Sequence, residues 1–196
     1  MKKGTLDKYV SDIRKGRVGV IPTDTLYGIA ASAENPEAVE RVYRIKGRSA
    51  NKNPIILIPA ADSLADFGVA LTERDEKFLA SVWPGKVSVV FPFRKKEYAY
   101  LDTARAGTLA FRVPDRADLR EFLRAAGPVI APSANPEGGK PARTAKEARE
   151  YFGGEVDFYC DGGVLEGEPS TLVSLKDGKV HILRLGAVAV SGTAGK

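Results

Sequence analysis

The sequence predicts a mixed α/β fold, a twisted sheet of parallel and antiparallel strands flanked by helices. Three observations predict it. Short apolar runs alternate with amphipathic stretches over most of the chain. A hairpin signal, Asp177-Gly178 between "TLVSL" and "KVHILRL", follows late and breaks a purely parallel pattern. One run, "TLAFRVP", alternates strictly between apolar and polar or small residues.

The elements follow in order. "TLDKYVSDIRKG" spaces Leu6, Val10 and Ile13 along one helical face, with Gly16 as the stop. "VGVIP" reads as a buried strand closed by Pro22, and "TDTLYGIAA" as a turn leading into a second strand. "NPEAVERVYRIKG" is a helix capped by Asn35, with Pro36 in its first turn and Gly47 at its end. "PIILIP" is a strand. "TERDEKFLASVWPG" is a helix that begins at Thr72, with Asp75 three residues on, and stops at Pro84-Gly85. "KVSVVFPF" is a strand. In "TLAFRVP", Leu109, Phe111 and Val113 share the core face, and Thr108, Ala110 and Arg112 share the other. "DRADLREFLRAAG" and "TAKEAREYFG" are amphipathic helices on either side of the strand "PVIA", and "VDFYCDGG" is a strand with a glycine turn.

Composition narrows the function. The 196 residues are 43% hydrophobic, enough for one sizeable core, and no linker, repeat or low-complexity tract divides them, so one domain over 1–196 is expected. A formal net charge of +5 suits RNA, nucleotides or other anions, and equally an ordinary solvated surface. The lone Cys160 excludes an internal disulfide and a cysteine zinc cluster, and His181 as the sole histidine excludes a histidine-rich metal site. No signal peptide or membrane-length apolar run is present, so a cytoplasmic protein without membrane contact is expected. Neither a phosphate loop of the G-x-x-x-x-G-K-[ST] type nor a G-x-G-x-x-G turn occurs, and no G-x-S-x-G elbow.

Polar and cationic residues instead follow strand after strand. Thr23-Asp24-Thr25 follows "VGVIP", Ser133-Ala134-Asn135 follows "PVIA", and Pro169-Ser170-Thr171 follows the glycine turn. Lys46-Gly47-Arg48 ends a helix, Arg112 lies on a polar strand face, and Arg184 ends the last strand. Ligands of open α/β sheets gather beyond strand ends. If these loops converge, the pocket holds several cations and small hydroxyls, suited to an anion with more than one negative group.

The ordered set "VIPTDTLYGIAA", "YRIKGR", "SVWPGKVSVVFP", "LAFRVP", "PVIAPSAN", "DGG", "EPSTLV" and "ILRLGAV" resembles the YrdC-like family, the L-threonylcarbamoyladenylate synthases, in the short form without the extra C-terminal domain. The resemblance covers about residues 5–188. It implies a sheet with a positively charged concave face. It implies an enzyme, a nucleotidyltransferase that makes threonylcarbamoyl-AMP and pyrophosphate from L-threonine, bicarbonate or CO2, and ATP. The product would pass to downstream tRNA threonylcarbamoyl-transfer proteins and modify adenosine 37 of tRNAs reading A-starting codons. Mg2+ would accompany ATP without dedicated protein ligands, and direct tRNA or double-stranded RNA contact is compatible with the family.

By motif, the resemblance makes Lys46, Arg48, Ser133 and Asn135 the catalytic set. It assigns Thr25, Ile58, Arg112, Ala131 and Ser170 to L-threonine, and Arg48, Asn53, Thr108, Ser133, Ala142 and Arg184 to ATP. The stretch "SANKNP" is one residue longer than the family pattern, so Lys52 competes with Asn53. Ile58 and Ala142 stand where members often carry histidine and serine, so they can offer only backbone or apolar contact. Alanine at Lys46 or Arg112 is expected to leave folding normal and remove most activity. Two other functions fit the same residues: a non-catalytic binder of double-stranded or ribosomal RNA, and a relative that forms a carbamoyl adenylate from carbamoyl phosphate.

Overall fold

The computed structural model describes residues 6–47, 52–176 and 178–194. Within them lie strands β1 (Gly19–Pro22), β2 (Tyr27–Ser32), β3 (Ile55–Leu57), β4 (Val87–Pro92), β5 (Thr108–Arg112), β6 (Val129–Ile130), β7 (Phe158–Tyr159), β8 (Thr171–Lys176), β9 (Lys179–Arg184) and β10 (Thr193–Ala194). They form one sheet in the order β10-β9-β8-β4-β5-β3-β6-β2-β1-β7. Pairing is mixed, as expected: β3 runs parallel to β5 and β4 to β8, whereas β4–β5 and β8–β9 are antiparallel.

Local chemistry sets the helices. In α2 (Pro36–Lys46) the Asn35 side chain accepts a hydrogen bond from Ala38 N at 2.9 Å, and Gly47 exits with φ 58°. In α3 (Glu73–Val82) Thr72 and Asp75 satisfy each other's backbone N–H groups in a capping box. The N-terminal helix is shorter than its pattern suggests: a 3-10 turn at Asp7–Tyr9 leads into α1 (Val10–Arg14). Two further 3-10 segments, Ala61–Phe67 and Lys96–Leu101, have no counterpart in the periodicity, because neither runs long enough to show one.

Strand alternation divides the core. On one face, Val39 and Val42 of α2, Leu79 of α3, and Ala148 and Phe152 of α5 (Ala145–Phe152) pack with Val20, Ile29, Ile56, Val89 and Phe111. On the other, Ile13 of α1 and Leu119, Phe122 and Leu123 of α4 (Ala117–Ala126) pack with Ile21, Ala30, Leu57 and Val129. This second cluster takes no side chain from β4, β5 or β8 among the described residues. The sheet is therefore covered by helices on one side and only partly on the other, and the uncovered part forms the floor of a cavity. Cys160 packs in the second cluster, where burial pushes its thiol up to about 11.

The edge at β7 is fastened by Asp157. Its Oδ2 accepts from Val18 N at 2.8 Å and from Arg41 Nη1 at 2.6 Å. Partial burial opposes the charge, but these bonds hold the carboxyl below its ordinary value. A lowered folded-state pKa adds stability above the unfolded pKa, and that stability is lost as pH falls through the folded one. Asp157→Asn is accordingly expected to cost about 1–2 kcal/mol at neutral pH. The difference from wild type should vanish as pH falls toward about 2. Denaturant unfolding at both pH values checks this; a difference independent of pH would contradict it.

Candidate active site

Besides Asn53, which precedes β3, four segments deliver polar groups to the uncovered face. The first is the turn between β1 and β2. Thr23 Oγ1 accepts from the N–H groups of Thr25 and Leu26 at 3.1 and 3.2 Å and donates to Leu26 O at 2.7 Å. This closes the turn and places Thr25 Oγ1 3.0 Å from Thr23 Oγ1. Arg116, just before α4, holds the same turn from outside by donating to Pro22 O at 3.2 Å.

The second segment is β5. Because Leu109 and Phe111 point into the core, Ala110 and Arg112 point the other way, onto the cavity. Arg112 is 4% exposed. Its Nη1 donates to Asp24 Oδ1 at 2.5 Å, and its Nη2 lies 3.4 Å from Thr25 Oγ1. Burial pulls the guanidinium below its ordinary pKa, and Asp24 acts against that pull. Among the described residues, the Nε–H is buried without a hydrogen-bond partner.

The third segment runs on from β6 beside β2. Ile29 N donates to Pro132 O and Ala134 N to Tyr27 O, each at 2.8 Å. The approach is close at Gly28, where a Cβ would stand 3.0 Å from Ala131 O. Ala131 and Ser133 thereby reach the cavity wall. Ser133 Oγ donates to Asn135 Oδ1 at 2.6 Å, and Asn135 Nδ2 donates to Pro136 O and Gly139 O. Asn135 thus ties the serine to the glycine-rich turn behind it.

The fourth segment joins residues 160–170 to the ends of β8 and β9. Ser170 Oγ bonds Ser88 Oγ at 2.8 Å, and Arg184 Nη2 donates to Ser170 O at 2.8 Å. The loop lies flat against the first turn, and a Cβ on Gly167 would come within 2.1 Å of Thr25 O. Tyr27 Oη pins the loop's start, accepting from Gly162 N and donating to Gly163 O.

One cavity is lined by Thr25, Asn53, Arg112, Ala131, Ser133, Ser170 and Arg184, so seven of the residues singled out in the sequence are brought together. Asn53 is also a structural knot: its amide donates to Asp102 Oδ1 and Thr108 O, and its Oδ1 accepts from Ala104 N. Lys52 points elsewhere, exposed and 3.6 Å from Glu137. Thr108 lies on the cavity's side of β5 but outside its lining.

The other assigned residues sit differently. Ile58 shares the parity of Ile56, so it lies in the core on the far face of the sheet, and its N–H donates to Arg112 O. Ala142 is buried in that same core, with its N–H given to Ala134 O. Lys46 is 4% exposed and lies under the third segment, where Nζ donates to the carbonyls of Ser133 and Asn135 at 2.5 and 2.6 Å. Arg48 lies outside the described residues.

These positions correct the expectation that alanine at Lys46 or Arg112 leaves folding untouched. Lys46→Ala strips a donor from the part-buried carbonyl of Ser133 and the buried one of Asn135, at a cost of about 1–3 kcal/mol. Arg112→Ala leaves the Asp24 carboxylate buried without its cation, at about 3–5 kcal/mol.

Two site groups carry no assignment in the motif reading. Asp24 offsets one of the two arginine charges of the cavity, and only its place between two threonines hinted at a role. Ser88 is 0% exposed, and its signal was a hydroxyl inside the apolar run "KVSVVFPF".

A model of the Sua5/YciO/YrdC family, described as "Telomere recombination", matches residues 11–186. The threonylcarbamoyl-AMP synthase of Pseudomonas fluorescens strain Pf0-1 is 34% identical over 174 residues, 86% of this chain and 91% of that protein. The Bacillus subtilis strain 168 protein of the same name is 32% identical over 90% of this chain, which spans only 51% of it. Among solved structures, P. abyssi Sua5 complexed with L-threonine superposes with a TM-score of 0.87 at 28% identity, over 95% of this chain and 55% of that one. E. coli YciO shares the fold, with a TM-score of 0.86 at 23% identity over 97% and 93% of the two chains. The chain therefore belongs to the Sua5/YciO/YrdC family, and its named relatives place it among enzymes of the nucleotidyltransferase type.

Proposed function

We propose that this protein is a threonylcarbamoyl-AMP synthase acting on L-threonine, bicarbonate or CO2, and ATP. The observation that carries the proposal is the meeting, in one cavity, of a buried arginine with an unpartnered Nε–H, three small hydroxyls (Thr25, Ser133, Ser170) and a second arginine, Arg184. That set suits an amino-acid carboxylate beside a phosphate chain. The L-threonine complex of a Sua5 protein with the same fold supports the amino-acid half.

In the reaction, threonine's amine condenses with bicarbonate and releases water, giving an N-carboxylate. That oxygen attacks the α-phosphorus of ATP, the bond from the α-phosphorus to the bridging oxygen breaks, and pyrophosphate leaves. Both partners are anions, so the protein must hold them close and offset their repulsion. Arg112 takes the threonine carboxylate, and Thr25 and Ser170 stand beside it. Arg184 and Ser133 face the phosphates. The Ser133 proton is already given to Asn135, so a phosphate oxygen that accepts it displaces that bond and couples nucleotide arrival to the turn at 136–139. Lys46 fixes the backbone beneath Ser133 and puts a positive charge behind the phosphates.

Magnesium supplies charge neutralisation on the phosphates when bound with ATP. The threonine and serine hydroxyls of the cavity lining suit an ion held chiefly by phosphate and water. The tRNA step, the proteins that receive the product and any RNA contact belong to the same proposal and rest on the family resemblance of the sequence motifs. No helix of the described residues is long and apolar enough to cross a membrane.

Pyrophosphate release from Mg-ATP tests the assignment. Release is expected only when L-threonine and bicarbonate are both present. Release with carbamoyl phosphate and no threonine would overturn it in favour of carbamoyl-adenylate chemistry. Salt-sensitive RNA binding with no release under any condition would point to a binding protein. Within the active enzyme, Arg184→Ala is expected to raise KM for ATP about 10–100-fold, the loss of one charge-assisted contact. The KM for threonine should move much less. Steady-state kinetics with each substrate varied in turn check this.

A further inference from the structure

The Asp24–Arg112 ion pair is buried beside the cavity. Their side chains are 4% and 5% exposed. Asp24 Oδ1 holds Arg112 Nη1, and Oδ2 accepts from Asp115 N at 3.0 Å. The carboxylate thus ties the turn after β1 to the segment after β5, and it fixes the guanidinium from one end only. In a guanidinium, Nε–H and one Nη2–H lie along the same edge and point the same way. That edge is the one left over: among the described residues Nε–H has no partner, and Nη2 makes a single long contact, to a cavity residue, Thr25. A buried donor without an acceptor is costly, and the two donors together match the two oxygens of a carboxylate.

The geometry points to Asp24 as a positioning residue that holds Arg112 by one end, so that the Nε–Nη2 edge presents a bidentate seat for the carboxylate of the amino-acid substrate. This rests on the proposed function above. Asp24 does not itself line the cavity; it acts through Arg112. Selection follows: a substrate without a carboxylate leaves the edge unsatisfied.

In the full chain, Asp24→Asn is expected to raise KM for L-threonine at least about tenfold. KM for ATP, and kcat at saturating threonine, should change by less than about threefold. A merely structural residue would move both KM values together, and that result, or an unchanged threonine KM, overturns the inference. If Asp24→Asn does not accumulate as folded protein, Arg112→Lys carries the test. It keeps a cation beside Asp24 but removes the two-donor edge, so the same threonine-selective rise is expected, and an unchanged threonine KM overturns the inference. Nitrogen-15 NMR of the Arg112 Nε–H separates this idea from the functional reading. The signal is expected to be sharp and slowly exchanging in the wild type and broadened in Asp24→Asn. An identical signal in both sinks the positioning role whatever threonine does. A wild-type signal that L-threonine does not shift sinks the functional reading, while the Asp24 effect still stands.

Discussion

A buried charge on a bare sheet face organises this molecule. Among the described residues, Arg112 stands on β5 where no helix covers the strands, and Asp24 answers it from the β1–β2 turn, with β3 and β6 lying between β5 and β2 in the sheet. Taking both charges out of water is expensive, and a hydrophobic pair of similar volume would often be as stable. The pair persists with the Arg112 Nε–H unsatisfied among the described residues. Buried polar groups of that kind usually await a ligand or a water.

The rest of the fold keeps that face open and that pair dry. Alternation sends Leu109 and Phe111 into one core and Arg112 out of it. Helix α4 covers β1, β2, β3 and β6 but stops short of β5. Close backbone approaches at Gly28 and Gly167 press the Ser133 segment and the 160–170 loop against the turn that carries Thr25 and Asp24. Lys46 then fixes the Ser133 segment from below. Sites gain precision when their groups ride on elements locked by packing and backbone bonds.

Much of this was legible in the sequence, for identifiable reasons. Caps at Asn35, Thr72 and Gly47 are local, so single residues announce them. The two faces of β5 follow from a period of two, and motif order brought seven residues to one cavity. What was not legible depends on distance through space. The resemblance assigned Ile58 to the amino-acid site, but strand parity turns it into the core. Lys46 was assigned by motif to the catalytic set, and only the tertiary fold shows its ammonium buried under the carbonyls of Ser133 and Asn135. Asp24 pairs with a residue 88 positions away, which no local pattern encodes.

The most direct measurement is a crystal structure of the chain with L-threonine and a non-hydrolysable ATP analogue. The account predicts the threonine carboxylate on the Nε–Nη2 edge of Arg112, with Asp24 unmoved behind it and the phosphates between Ser133 and Arg184. A carboxylate seated away from Arg112, or an amino acid bound outside the cavity, would contradict it.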